Sequence, residues 1–401
     1  MTIQTRELSQ PGVHPQEQTF QTSNVITVSG GHFLHDTFSA FLSPLMPELI
    51  DKLSMSLTQA GTVTALVQLP SILNPFIGYL DDKISLRWAV ILAPAVTATL
   101  FSAMGLAPNF YTLAILMAVA GLSVAAFHAT APAMVARASG NKVGKGMSFF
   151  MAGGELGRTI GPLIAAWAVS TFTLEGVYRL AAIGWLTSLI IFLRVRGLTT
   201  HVARQSKVNG LILAARGLFL PIGILVAARS LLISCLGYFL PTLLKSEGAS
   251  LMAASGALAI YQLAGVAGAL AGGTFSDRIG RKPILFTTSL VPPLLVFAFL
   301  ALPSGWMIPI LIVLGFISLA SQPVLLALVQ DHLPQYRSAA NGVYMAWTFI
   351  TQSSASFLTG LLGDQIGLRS TFFWMALFSL FAVLGVILLP KQSQKDSLGL
   401  S

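Results

Sequence analysis

The stretch GGTFSDRIGRK, residues 272–282, has a counterpart in the first half of the chain, GYLDDKISLRW at residues 78–88. Aligning the two places glycine, aspartate and basic residues at the same positions. The matched pairs are Gly78 with Gly273, Asp82 with Asp277, Lys83 with Arg278 and Arg87 with Lys282. Because the offset is about half of the 401-residue chain, the pattern indicates two duplicated halves.

Around these two polar stretches the chain is strongly apolar. Hydrophobic residues make up 54% and charged residues 9% of the sequence, and the mean hydropathy is +0.77. Soluble proteins average roughly 25% charged residues, so we predict an all-α integral membrane protein with twelve transmembrane helices. The twelve apolar segments, called spans one to twelve, are residues 24–50, 58–80, 88–107, 110–137, 146–172, 177–195, 214–241, 251–275, 283–303, 305–330, 338–362 and 369–390.

The longest polar interruption, residues 194–211, separates the first six spans from the last six. The chain is therefore predicted to form two pseudo-symmetric six-helix bundles. They are expected at residues 24–195 and 214–390, joined by a cytoplasmic linker at 196–213 and flanked by polar cytoplasmic tails at 1–23 and 391–401.

The basic residues sort between the two sides of the membrane. The loops on the side that holds both termini carry 17 Lys and Arg residues, whereas the other side carries only Lys52, Lys245 and Arg369. Positive loops remain in the cytoplasm, so both termini are expected there, in a multi-pass protein of the bacterial inner membrane. The net charge of +9 reflects this topology, and no nucleic-acid partner is expected.

The loop GGTFSDRIGRK resembles the signature loop of the major facilitator superfamily, nearly complete in the second half and degraded in the first at Ser85 and Leu86. The resemblance implies two bundles that rock about a central site, with Asp82 and Asp277 holding the cytoplasmic side closed in one state. The glycines would permit close helix approach; simple anchoring of the helices is the alternative. The candidate latch residues are Gly78, Asp82, Lys83, Arg137, Gly273, Asp277 and Arg278.

Span one carries polar residues at helical spacing. Asp36 lies about twelve residues into the span, near the middle of a hydrocarbon core that is ~30 Å thick. An ionisable group at this depth costs roughly 2.5–3.5 kcal/mol and indicates function. His32, Asp36 and Ser39 share one face that we expect to line the transport pathway, whereas His35 points about 100° away from Asp36 and is interpreted as a packing residue.

Span five places Glu155 and Arg158 one helical turn apart. The pair either neutralises itself or, as we favour, combines a proton-accepting acid with an anion-attracting guanidinium. Asp36 and Glu155 are the candidate proton carriers. The same span holds four glycines that predict a close-packing ridge against another helix: Gly153, Gly154, Gly157 and Gly161.

Other spans contribute weaker candidates. Aligning Pro44 with Pro241 places Arg229 opposite His32, so we expect Arg229 to face Asp36 or Glu155 across the two halves. His128 lies at middle depth, where a structural and a functional role are equally plausible. The candidate substrate-binding residues are His32, Ser39, His128, Arg158, Arg229, Gln68, Gln262 and Trp347.

A narrower resemblance links HFLHD, FHATAPAMVARASG and MAGGELGRTIGPLIAA to fosmidomycin-resistance-type efflux proteins. This chain keeps Phe127 and His128 of the family's span-four motif but has Ala129 and Thr130 where the family has proline and glutamate. It also has Glu155 where the family has asparagine. An acid is thus lost from span four and gained in span five, so the family's substrate does not transfer directly.

Together these features predict a secondary transporter, most simply a proton-coupled exporter of a small amphipathic or anionic compound. Import or facilitated diffusion of an organic anion is the alternative, and a non-transporting receptor or scaffold is a remote one. No nucleotide loop, metal-ligand spacing or nucleophile motif indicates an enzyme, a metal site or a cofactor. The expected partners are a small-molecule substrate, protons and the lipid bilayer, and the chain is expected to be a monomer.

Overall fold

The computed structural model describes residues 19–198 and 210–390. Within these residues the fold is built from α-helices and short 3-10 and π segments, without strands. The α-helices are α1 (Thr22–Ser39), α2 (Leu42–Leu53), α3 (Leu57–Gln68), α4 (Asn74–Lys83), α5 (Arg87–Ser102), α6 (Phe110–Ala138), α7 (Val143–Gly176), α8 (Ala181–Val195), α9 (Leu211–Ser234), α10 (Leu240–Ser246), α11 (Leu251–Ile279), α12 (Arg281–Ala301), α13 (Met307–His332), α14 (Arg337–Ile366), α15 (Leu368–Ser379) and α16 (Phe381–Leu388).

These helices group into the twelve predicted spans. Spans one, two, seven and twelve each consist of two helices, namely α1 with α2, α3 with α4, α9 with α10 and α15 with α16. In the described part of the chain, nine helical stretches have the length and apolar composition of a membrane span, and one of them, Val143–Val195, runs through both α7 and α8. Helices α1 and α14 are not among the nine; α1 contains His32, His35 and Asp36, and α14 is rich in hydroxyl and amide side chains.

Prolines explain where the spans break. A proline has no N–H, so the carbonyl four residues earlier loses its helical partner. Pro44 follows the break between α1 and α2, Pro70 lies in the 3-10 segment Leu69–Leu73 of span two, and Pro241 follows the π-helical segment Cys235–Phe239 of span seven. Three of the four broken spans are therefore interrupted at a proline, whereas the break between α15 and α16 has no proline beside it.

Glycines bring α7 against α1. A Cβ atom added at Gly153, Gly157 or Gly161 would lie 2.3–2.5 Å from the backbone oxygens of Ser29, Phe33 and Thr37, respectively. Only a residue without a side chain fits at such positions. The predicted glycine ridge is confirmed, and its partner is the helix that carries Asp36.

Gly157→Ala should therefore destabilise the protein. The new methyl group would meet the Phe33 oxygen at 2.3 Å and the Thr37 nitrogen at 2.9 Å, and backbone atoms cannot move aside cheaply. We expect a loss of roughly 1–3 kcal/mol, measured as a lower melting temperature of the purified protein. Gly144→Ala is the control, because on the same helix its Cβ would meet nothing within 4 Å; equal effects of the two changes would contradict the packing argument.

The loop glycines behave differently from the ridge. A Cβ atom at Gly78 would meet nothing within 4 Å, and one at Gly273 would only touch Pro323 at 4.0 Å. The prediction that these two glycines permit a close approach of helices is therefore wrong for the conformation described. The tight contact lies one residue earlier, at Gly272, whose Cβ would lie 2.4 Å from the Ala320 oxygen of α13.

Candidate functional site

Asp36 is the centre of a buried charged cluster in the first half. Its carboxylate is 1% exposed and lies between α1, α6 and α7. The Oδ2 atom lies 3.3 Å from His32 Nε2 and 3.1 Å from Arg158 Nη1, and the Oδ1 atom lies 3.4 Å from His128 Nε2. Three spans thus place a cationic or titratable nitrogen against one carboxylate.

The two imidazole rings are oriented by backbone carbonyls. His32 Nδ1 lies 2.7 Å from the Phe150 oxygen, and His128 Nδ1 lies 3.0 Å from the Val124 oxygen. A carbonyl oxygen only accepts, so each Nδ1 carries a hydrogen. Each Nε2 consequently faces Asp36 with a lone pair when the ring is neutral and with a hydrogen when the ring is protonated.

Arg158 connects Asp36 to Glu155. Its guanidinium donates to both carboxylates, and the contact with Glu155 is an (i, i+3) pair on α7. The side chains of Arg158, His128 and Glu155 are 39%, 31% and 26% exposed, whereas His32 is 3% exposed. The accessible face of the cluster is therefore formed by Arg158, Glu155 and His128. Behind it lie His32 and Asp36, which were expected to line the pathway.

His35 is turned away from Asp36, as predicted. Its ring is fully buried and stacks on Phe127, with centroids 4.3 Å apart. Both of its ring nitrogens lack a hydrogen-bond partner. His35 packs the interior of the first half and presents no group to the accessible face.

Twelve spans in two halves, with a buried charged cluster in the first half, can be compared with known proteins. The sequence model of the Major Facilitator Superfamily matches residues 28–356 and 222–399. The chain belongs to this superfamily. It is accordingly a multi-pass membrane transporter that binds a small-molecule substrate, and not an enzyme.

Two curated relatives of this superfamily member span nearly its whole length. The fosmidomycin resistance protein of Escherichia coli (strain K12) is 25% identical over 386 residues, covering 92% of this chain and 93% of that protein. The uncharacterized MFS-type transporter YfnC of Bacillus subtilis (strain 168) is 24% identical over 385 residues, covering 91% and 92%. The predicted resemblance to fosmidomycin-resistance proteins is confirmed.

Solved structures share the superfamily fold. An inward-facing bacterial homologue of the human lysosomal transporter Spinster superposes with a TM-score of 0.76 at 14% identity, covering 94% of this chain and 98% of that one. A D-xylose-proton symporter gives a TM-score of 0.69 at 16% identity, covering 93% and 97%. These similarities establish the fold of two pseudo-symmetric six-helix bundles.

Arg229 does not lie where its sequence position predicted. Its Nη2 donates to the Ser318 oxygen at 3.2 Å within the second half, and among the described residues it forms no ion pair with Asp36 or Glu155. The π-helical segment Cys235–Phe239 explains the error. A π segment accommodates an extra residue, which rotates everything before it by about 100° relative to Pro241.

Three of the four remaining candidate substrate residues make structural contacts. Ser39 donates back to the Asp36 backbone oxygen at 3.1 Å, and Gln68 Nε2 donates to Ser356 Oγ of the other half at 3.1 Å. Trp347 donates to the Gly223 oxygen and lines an apolar cavity of about 280 Å³ between α9, α13 and α14. Gln262 is half-buried and has no hydrogen bond in the described structure.

The loop residues of the predicted latch bind within their own half. Asp277 pairs with Arg281, which also contacts Asp331 at 3.1 Å, so this loop ties α11 and α12 to α13. Lys83 lies over the Tyr79 ring, and Arg278 and Arg137 are exposed. The Asp82 side chain lies outside the described side chains.

The halves are joined on the membrane side opposite both termini, here called the distal side. Lys245 at the end of span seven pairs with Glu48 and Asp51 of span one. Asp364 at the end of α14 accepts hydrogen bonds at 2.8 Å from the amides of Leu57 and Thr58, the first residues of α3. Sequence reasoning missed both contacts, because their partners are 194 to 307 residues apart.

Proposed function

We propose that this transporter exports a small anionic or amphipathic compound across the bacterial inner membrane in exchange for protons. The distal side then corresponds to the exterior and both termini to the cytoplasm. The two bundles correspond to residues 24–195 and 214–390, with the linker and tails around them, and the protein acts as a monomer. The cluster of Asp36, His32, His128, Arg158 and Glu155 is the observation that carries the proposal.

The charge of this cluster favours uptake of one proton. Asp36 and Glu155 contribute two negative charges and Arg158 one positive charge, so the cluster carries a net charge of −1 when both imidazoles are neutral. Net charge at mid-membrane is costly. One proton, on either carboxylate or on an imidazole Nε2 that faces Asp36, makes the cluster neutral, and this supports Asp36 and Glu155 as the proton-coupling acids.

The exposed part of the cluster suits an anion. Arg158 and Glu155 face the accessible side, whereas Asp36 is buried behind them. An incoming anion would replace Glu155 on Arg158, and the released Glu155 would then take up a proton. Substrate and proton binding are coupled through one guanidinium.

The apolar cavity beside Trp347 supports an amphipathic substrate. Its volume of about 280 Å³ is large enough for a small apolar group, and its lining is almost entirely aliphatic and aromatic. The main alternative, import or facilitated diffusion of an organic anion, was suggested by two mid-membrane arginines, and only Arg158 lies at the accessible face of the cluster.

Ligand-induced thermal stabilisation of the purified protein tests this function. Fosmidomycin and a panel of small carboxylates and phosphonates would be added at pH 5.5 and pH 7.5. A substrate raises the melting temperature by binding the folded state, and a proton-linked one does so to different extents at the two pH values. Equal stabilisation at both pH values, with every ligand that binds, would contradict proton linkage.

The contact of Asp364 with the first amides of α3 is proposed to act as a latch that keeps the exterior side closed. Asp364→Ala should shift the protein towards an outward-open state, because the first amides of α3 lose their acceptor. Ser56 remains the N-cap of α3, and loss of the second acceptor should cost about as much as loss of a cap, about 1 kcal/mol or roughly fivefold in the open-to-closed ratio. Spin labels at Tyr111, in the first turn of α6, and at Ser304, just before α13, lie at the distal ends of opposite halves and should report longer distances.

This latch should not respond to pH between 5 and 8. Partial burial acts to raise the pKa of Asp364. The hydrogen bonds from the Thr58 hydroxyl and from the Thr58 and Leu57 amides outweigh this effect, so the pKa lies below its ordinary value. A depressed pKa means that the latch is lost only as the pH falls through that lower value.

The matched control for Asp364→Ala is Glu247→Ala, which breaks a pair with Arg369 inside one half and should leave the spin-label distances unchanged.

A further inference from the structure

Arg229 is a buried cation without a carboxylate partner. The residue is 7% exposed, and the only hydrogen bond of its guanidinium in the described structure goes to the Ser318 oxygen. Its Nε–H has no acceptor. A buried charge is normally paired, because desolvation of an isolated ion is unfavourable.

No acid of the second half is available to pair with it. The described residues of this half contain four carboxylates, and all four have other partners near the membrane ends. Glu247 pairs with Arg369, Asp277 and Asp331 pair with Arg281, and Asp364 accepts from the amides of α3. Among the described residues of this half, no carboxylate is left to balance Arg229, and a bound ion would supply the missing charge.

Arg229 lines a small, partly open cavity between α9, α12, α13 and the junction of α15 with α16. Its volume is about 10 Å³, enough for a single particle about the size of a water molecule. Pro292 and Pro293 lie on one wall, where two consecutive residues without N–H groups interrupt the α12 hydrogen-bond ladder.

Hydroxyl donors surround the same cavity. Ser318 Oγ, 2% exposed, has no hydrogen-bond partner, and the Ser289 hydroxyl makes no hydrogen bond in the described structure. With the free Nε–H of Arg229, the lining offers one charged and two neutral donors. The unpaired Nε–H of Arg229 and the unpaired hydroxyls, around a space for one particle, favour an anion.

We propose that Arg229 holds a monatomic halide, chloride under physiological conditions, as a resident counter-ion inside the second bundle. The cavity is too small for an organic anion, and a water molecule would satisfy the donors without balancing the charge. The site is separate from the Asp36 cluster of the first half. Its role is to stabilise the second bundle, so it does not depend on the direction or coupling of transport.

Halide-dependent melting of the purified full-length protein tests the site. In a sodium gluconate buffer of constant ionic strength, replacing gluconate by chloride or bromide should raise the melting temperature saturably, by about 3 °C. Arg229→Met should abolish this shift and should melt in gluconate no lower than the wild type, because it removes an uncompensated charge. Arg216→Met, an exposed arginine on the same helix α9, should retain the full shift.

Anomalous diffraction from wild-type crystals grown in bromide tests halide binding directly, without requiring that any variant folds. A bromide peak beside Arg229 Nε and Ser318 Oγ is expected. Wild-type melting that is indifferent to halide, an equal shift in Arg229→Met, or a water molecule without anomalous signal in the cavity would each overturn the proposal. A transport defect without these changes would bear on the proposed function alone.

Discussion

Asp36→Asn should abolish proton-driven transport while leaving a folded protein. The asparagine keeps the size of the side chain and can still accept from Arg158, but it can no longer balance the charge of Arg158 or of a protonated imidazole at Nε2. Removal of a group that transfers protons typically costs at least ~100-fold in rate. Gradient-driven flux should fall by that order, whereas exchange of labelled for unlabelled substrate, which needs no net proton movement, should persist.

Asp51→Asn is the matched control for this change. Asp51 also lies on span one and forms an ion pair, with Lys245 at 3.4 Å, but it is exposed on the distal side. Its loss should leave gradient-driven flux within about twofold of the wild type, since exposed ion pairs contribute little. Normal driven transport by Asp36→Asn would remove Asp36 from the coupling mechanism.

Glu155→Gln should separate substrate binding from coupling. In the wild type, Glu155 competes with an incoming anion for Arg158. Without that competitor the anion should bind about fivefold more tightly, corresponding to roughly 1 kcal/mol for a partly exposed pair. Binding should also lose most of its pH dependence, and the gradient should no longer accelerate transport.

The comparison for this variant is Glu175→Gln, near the end of α7 and beyond its non-helical residue Thr173. Glu175 pairs with Lys52 at 2.8 Å near the distal side and is remote from Arg158 in sequence. It should change neither the affinity nor its pH dependence. Weaker anion binding in Glu155→Gln would mean that Glu155 contacts the substrate directly instead of competing with it.

Much of the fold could be predicted from the sequence because its signals are local or periodic. The repeat that relates Asp82 to Asp277 identifies two halves, and the apolar segments give the spans. The glycine ridge of α7 was readable because glycines one turn apart in a membrane helix have few other uses. Only its partner, α1, required the structure.

The charged cluster was partly predictable for a similar reason. The cost of a titratable group at mid-membrane marks Asp36, Glu155, Arg158 and His128 individually as unusual. Their convergence on Asp36 depends on how α1, α6 and α7 pack, which single-helix periodicity does not determine. The expectation that His32 and Asp36 line the transport pathway was wrong in part, because both residues lie behind Arg158 and Glu155.

Arg229 and Asp364 mark the limits of sequence reasoning. A one-residue π insertion, invisible in the sequence of span seven, is enough to turn Arg229 away from the other half. The Ser56–Gln59 capping box at the start of α3 can be read from sequence. The acceptor that Asp364 adds from the other half is a long-range contact that only the folded protein reveals.

The most direct test of proton-coupled export is flux into everted membrane vesicles under an imposed pH gradient. The substrate would be the compound that most stabilises the protein in the thermal screen, beginning with fosmidomycin. We predict accumulation that requires an acidic lumen, collapses when the gradient is dissipated, and is absent in Asp36→Asn vesicles. Accumulation that is unchanged without the gradient, or undiminished in Asp36→Asn, would contradict the account.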